Sequence, residues 1–172
     1  DLTYLRNSGF ADEIKQLAEQ GTPVIGVCGG NQMLGKTIYD PHHMEGDIEE
    51  IEGLGLVDSS TTMKDQKTTH QVEFNVSNLQ FLNGTFTGEK LVGYEIHMGE
   101  TVLKENAGHC VSIEDHVSGS RKEDGAYCKN VCGTYVHGVF DKEDVAEAVV
   151  RALGEKKGLD VSEMTGVDFA AF

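Results

Sequence analysis

Basic side chains are scarce in this chain, with 14 Lys and Arg against 29 Asp and Glu, and the resulting net charge of −15 excludes several classes of partner. Phosphate backbones and anionic lipid surfaces are repelled by such a charge, so neither nucleic acid nor a membrane is an expected partner. Long apolar runs are also missing: none approaches the ~20 residues that a bilayer-spanning helix needs. No pattern of basic, apolar and small residues marks a secretory leader, and a cytoplasmic location is expected. Cysteine is limited to Cys28, Cys110, Cys128 and Cys132. Their spacing is irregular and no histidine pair completes a zinc pattern, so reduced thiols and no metal are expected. The pair His42-His43 lies in a loop-like stretch and reads as solvated. Internal repeats and low-complexity tracts are lacking too.

What remains is an ordinary globular composition of 172 residues, 38% hydrophobic and 25% charged, enough for one domain with a real core. Phe10, Ile14, Leu17 and Ala18 recur at helical spacing before Gly21, which predicts a first helix over 10–20 with a glycine C-cap. Residues 23–27 form a short apolar run suited to a buried strand, followed by a helix over about 30–38. The polar stretches 40–52 and 58–69 read as loops around a short strand at 54–57. Val72, Phe74 and Val76 alternate with Glu73 and Asn75, the period of a half-buried strand. Further strands are expected at 91–96, 101–103, 110–113 and 131–136, then a helix over 142–153 with Asp141 as N-cap and Gly154 as stop. The order implies an α/β domain with a mixed sheet.

Cys28 stands in Gly26-Val27-Cys28-Gly29-Gly30, between the predicted strand and the predicted helix. A side chain at such a sharp turn is held in strained backbone and points outward, and the flanking glycines bring no Cβ into the bend. Unpartnered amides at the helix start favour the thiolate, the form that attacks carbonyl carbon, and the amide of Gly29 is placed to stabilise an oxyanion. A cysteine nucleophile needs a base. His137, ending the apolar run in Gly133-Thr134-Tyr135-Val136-His137-Gly138, is the first candidate and His97 in Gly93-Tyr94-Glu95-Ile96-His97-Met98-Gly99 the second. His70, His109 and His116 sit in polar contexts.

These blocks, with Asp40-Pro41, Glu45-Gly46 and Gly53-Leu54-Gly55-Leu56 between them, resemble class I glutamine amidotransferases, and among them the cobyric acid synthase group of the cobalamin pathway. The resemblance covers most of residues 1–141. It implies a flavodoxin-like α/β fold whose mixed sheet is mostly parallel and flanked by helices. It also implies that Cys28 attacks the side-chain amide of glutamine, that His137 moves the proton to the departing ammonia, and that Gln32, Tyr94, Glu95 and His97 help hold the substrate. Ammonia would pass to an ATP-dependent synthetase domain that activates a corrinoid carboxylate. ATP and Mg²⁺ belong to that absent N-terminal domain, and no cofactor and no phosphate loop are expected in this one. The resemblance further implies that 1–172 is a single domain truncated at both ends, the last residues leading into a missing helix. Relatives place a carboxylate two residues after the histidine, where this chain has Val139. Either Glu95 substitutes or the pair works as a dyad. Other class I amidotransferases, which amidate peptidoglycan precursors or make cobyrinate diamide, share the pattern. A non-catalytic interaction domain and a cysteine hydrolase acting on other substrates are further readings.

Overall fold

Gly9, at φ 81°, breaks the N-terminal helical run into α1 (Leu2–Asn7) and α2 (Phe10–Glu19) in the computed structural model, which describes residues 1–81, 84–115, 118–141 and 143–162. At the end of α2 the Thr22 amide donates to the Leu17 carbonyl and the Gly21 amide to Ala18, with Gly21 at φ 84°. That is the glycine cap predicted at this position. The apolar run becomes β1 (Val24–Val27), and the segment after Cys28 becomes α3 (Gly29–Leu34). This helix is shorter than expected, because residues 37–39 form β2 (Thr37–Tyr39). Residues 54–57 form no strand: the amides of Leu54, Leu56 and Val57 instead bond the carbonyls of Met33 and Leu34 at the end of α3.

The remaining strands are β3 (Glu50–Glu52), β4 (Ser59–Phe81), β5 (Gly84–Leu103), β6 (Val111–Asp115), β7 (Arg121–Asp124), β8 (Ala126–Cys128), β9 (Val131–Thr134) and β10 (Val136–His137). They make two sheets, one ordered β1-β9-β8 and one ordered β10-β5-β4-β2-β3, with β6 on β4 and β7 on β6. The α/β class and the mixed, helix-flanked sheets match the expectation. The mostly parallel pairing does not. Among the described strands only β1–β9 and β2–β4 run parallel, and the other pairings are antiparallel. Parallel neighbours need a crossover of a dozen residues or so, whereas β4 ends at Phe81 and β5 begins at Gly84. Residues 59–69 of the polar stretch thus belong to a long strand rather than a loop.

Val72, Phe74 and Val76 of β4 turn inward as their alternation predicts, and pack with Leu91, Ile113, Val136 and Val145 in one core. A second core gathers Leu2, Ala11, Ala18, Leu34, Val57 and Val131 around the small sheet. The C-terminal helix α4 (Glu143–Lys156) runs past Gly154, and the positive φ falls at Gly158, where the Leu159 amide returns to the Gly154 carbonyl. The expected lead-in at 167–172, like His116 and Lys142, lies outside the described residues.

Candidate active site

The turn between β1 and α3 is built on two glycines that lie side by side. Gly26 on β1 pairs with Gly133 on β9. A Cβ at Gly26 would come within 2.6 Å of the Gly30 carbonyl carbon and 2.8 Å of the Asn31 amide, and one at Gly133 would stand 2.9 Å from the Asn31 Cα. Their bare backbones let α3 lie directly on the strand pair. Cys28 then takes φ 55° and ψ −113°, outside the usual regions for a side-chain-bearing residue. Its amide donates to the Thr134 carbonyl at 2.9 Å. The thiol, half-buried, donates to the Ile96 carbonyl at 3.3 Å.

Past Thr134 the chain leaves the small sheet and joins the large one, and this step carries His137. Asp124, buried, fixes the step by accepting from the Thr134 hydroxyl at 2.6 Å and the Tyr135 amide at 3.1 Å. Cys28 and His137 therefore both follow the carboxyl ends of adjacent parallel strands, β1 and β9. Both also meet β5: His137 pairs with Tyr94, and two residues on the Ile96 carbonyl holds the Cys28 thiol. They are not hydrogen-bonded to each other. The His137 ring stacks on Tyr94 with centroids 5.0 Å apart and planes 8° apart, and its Nε2 is buried with no protein partner. Val139 packs against the first core, so the position where relatives carry a carboxylate is apolar.

Glu95 does not orient His137. The register sets Glu95 opposite Val136, so its side chain leaves the opposite face of the strand from Tyr94. Only 2% exposed, it bonds His97 Nε2 and Lys122 Nζ, each at 2.7 Å. Burial pushes this carboxyl up, but the bonds and charges of His97 and Lys122 together outweigh it and hold the group below its ordinary range. His97 Nδ1 meets the Gly99 carbonyl at 2.7 Å, so both ring nitrogens face oxygen partners and the ring is fixed at both ends. The ring stacks on Tyr135, with centroids 3.8 Å apart. The Tyr135 hydroxyl lies 2.7 Å from that of Thr101 and also bonds Gln32 and Thr61, while burial pushes it up. Gly99 leaves room for this cluster, since a Cβ there would meet the Gln32 amide and stand 2.8 Å from the Tyr135 hydroxyl.

Cys28, Gly29, Gln32 and His97 converge on one open cavity of about 560 Å³. Tyr94, Glu95 and His137 do not line it. A second cavity, about 530 Å³, lies on the other side of His97 and Met98, with Glu95, Lys122 and Tyr135 on its wall. The loop after β2 closes one side of the Cys28 cavity. Asp40 organises that loop by accepting from the Met44 and Glu45 amides, each at 2.8 Å. Burial raises its carboxyl, but these amides and the adjacent His43 and His42 hold it below the ordinary range.

The letters Gly30 to Thr37 do spell Gly-x-x-x-x-Gly-Lys-Thr, contrary to the expectation that no such string occurs. Its context is wrong for phosphate binding. The string starts inside α3 and ends on β2, the reverse of the strand, loop and helix that cradle a phosphate. All four cysteines are unpaired, and burial pushes the Cys110 and Cys132 thiols up, the latter to about 12. Among the described residues no cluster of His, Cys, Asp and Glu is arranged to hold a metal, and no helix is long and apolar enough to cross a membrane.

Sequence reasoning missed Asp124, Tyr135, Thr101 and Lys122. The turn pair Asp124-Gly125 was a usable signal for the first. The others become neighbours only through long-range pairings, Thr101 and Lys122 through the β4–β5, β4–β6 and β6–β7 registers and Tyr135 through the step from β9 to β10, which pairs with β5.

Residues 1–145 match the family described as CobB/CobQ-like glutamine amidotransferase domain. Among curated proteins the chain is similar to cobyric acid synthases of Moorella thermoacetica, at 38% identity over 92% of this chain and 31% of that protein. It is 43% identical to the one of Salmonella agona over 96% of this chain and 32% of that protein. The chain thus spans about a third of the length of these relatives. Among solved structures, PurLQS from Thermotoga maritima superposes with a TM-score of 0.52 at 19% identity, over 85% of this chain and 65% of that one, which shows the shared fold.

Proposed function

Because the chain belongs to the family of CobB/CobQ-like glutamine amidotransferase domains, we propose that its 172 residues are the glutaminase domain of a cytoplasmic cobyric acid synthase, and that Cys28 and His137 are its reacting pair. The observation that carries this is the strained Cys28, at φ 55° on the wall of a cavity that Gln32 and His97 share. Cys28 Sγ attacks the side-chain carbonyl carbon of glutamine while the Gly29 amide receives the developing oxyanion. His137, whose Nε2 is left without a protein partner, takes the thiol proton and gives it to the leaving nitrogen, since an amide anion is too poor a leaving group. Ammonia departs, and water hydrolyses the thioester to glutamate, dividing one difficult step into two. With Glu95 committed to His97 and Lys122, cysteine and histidine act as a dyad, the imidazole being held by the Tyr94 ring.

The ammonia serves an ATP-dependent synthetase portion that amidates corrinoid carboxylates, and ATP with Mg²⁺ binds there. In the full-length protein, Cys28→Ala is expected to lower glutamine-dependent amidation at least ~1000-fold while amidation with added ammonium salt persists. An electrophilic glutamine analogue should label Cys28, and glutamine should block the labelling. Loss of both amidation activities in a folded variant, or labelling indifferent to glutamine, would overturn the assignment.

A further inference from the structure

One hydroxyl governs the place where the chain changes sheets. β9 ends at Thr134 and β10 begins at Val136, and the backbone between them is buried. Buried amides at such a step need side-chain partners. Asp124 Oδ2 accepts the Tyr135 amide at 3.1 Å, the Thr134 hydroxyl accepts the Val136 amide at 3.0 Å, and that hydroxyl donates to the same Asp124 oxygen at 2.6 Å. The turn after Asp124 brings the carboxylate there: Gly125, at φ 73°, lies so close to β9 that a Cβ would stand 2.8 Å from the Gly133 carbonyl oxygen. Among the described residues Asp124 has no ion pair. Its charge is directed wholly into this step, where charge-assisted bonds are about twice as strong as neutral ones.

Thr134 also ends the ladder between β1 and β9. Its carbonyl takes the Cys28 amide at 2.9 Å, while its hydroxyl and Asp124 fix the two amides that lead to His137. The backbone of the nucleophile and the arm that carries the imidazole are therefore both set from Thr134. Neither Thr134 nor Asp124 lines the Cys28 cavity, and at 6% and 8% exposure both are out of reach of a substrate bound there.

We propose that Thr134 and Asp124 are positioning residues of the reaction, fixing the separation of the His137 imidazole and the Cys28 sulfur without touching substrate. The proposal rests on the reading of Cys28 and His137 as the reacting pair. In the full-length protein the experiment measures kcat and KM for ammonia release from glutamine, and the rate and stoichiometry of Cys28 labelling by an electrophilic glutamine analogue. Thr134→Val, which keeps the shape and removes the hydroxyl, is expected to lower kcat about 10- to 100-fold, as a small misplacement of reacting groups does, with KM little changed. Labelling should still reach one analogue per chain, but more slowly. Thr134→Ser keeps the hydroxyl and should restore most of kcat. Asp124→Asn, which exchanges charge-assisted bonds for neutral ones, should show the same signature at a smaller size, and it decides the matter if Thr134→Val does not fold. Wild-type kcat in Thr134→Val or in Asp124→Asn, an equal loss in Thr134→Ser, or a rise in KM that accounts for the loss overturns the positioning role and leaves the glutaminase reading standing. Incomplete labelling at the wild-type rate overturns it too, because it means less folded protein instead of a misaligned pair. Failure of wild type to release ammonia from glutamine overturns both.

Discussion

A methyl group at position 26 is the smallest change that reaches the nucleophile. It would press on the Gly30 carbonyl carbon at 2.6 Å, its oxygen at 2.7 Å and the Asn31 amide at 2.8 Å, all backbone atoms that cannot swing aside. Either α3 lifts from β1 or the turn at Cys28 opens. Gly26→Ala is expected to cost about 1–3 kcal/mol of stability and to remove most Cys28 labelling by a glutamine-like electrophile, whereas Gly29→Ala, where a Cβ meets nothing within 4 Å, should unfold close to wild type. Thermal melts of both variants check this, and equal stability of the two would refute the close-packing account. Much of the site was legible at this scale because the elbow is local. Strand, cysteine and glycines occupy one short stretch, and the strain is visible in the residue types alone. Lys122 was not legible, since nothing near it in sequence distinguishes it from a solvated lysine. Its neighbours are set by strand register.

The element that sequence reasoning read least well is the β4–β5 hairpin. Residues 64–67 are all exposed, so no alternation of apolar and polar side chains marks the strand there, and only 72–76 showed the period of two. The middle of this hairpin nonetheless holds the ion cluster behind the site. Glu95 lies below its ordinary value of 4.5 because His97 and Lys122 outweigh the burial that would raise it. The sign follows: with the folded value depressed, the stabilisation is complete above the unfolded value and is lost as pH falls through the folded one. Glu95→Gln should therefore lose stability near neutral pH and converge on wild type in acid. Tm followed from about pH 7 down to about pH 3 checks this. A constant gap between the two curves would mean that Glu95 acts by shape rather than by charge.

For the whole molecule, the fold class was legible because element order survives in sequence, while the sheet's direction was not, because it depends on how short the connections after residue 59 turn out to be. Charge acts at the same scale. Two acidic side chains for each basic one leave −15 spread over a chain of 172 residues. Pairs such as Lys64–Glu100 and Arg121–Glu114 are largely exposed, and each is worth only ~0–1 kcal/mol. Self-repulsion among the unpaired carboxylates then exceeds the attraction in the pairs. Raising sodium chloride from about 20 mM to about 0.5 M shortens the screening length from roughly 20 Å to roughly 4 Å, which weakens the many distant repulsions more than the few close contacts. The 172-residue chain is expected to gain a few degrees in Tm over that range, a few degrees corresponding to about 1 kcal/mol for a domain of this size. Chloride is the informative salt, because sulfate strengthens apolar burial on its own account. A fall in Tm would mean that the ion pairs, Glu95 with Lys122 and His97 foremost, outweigh the excess of negative charge.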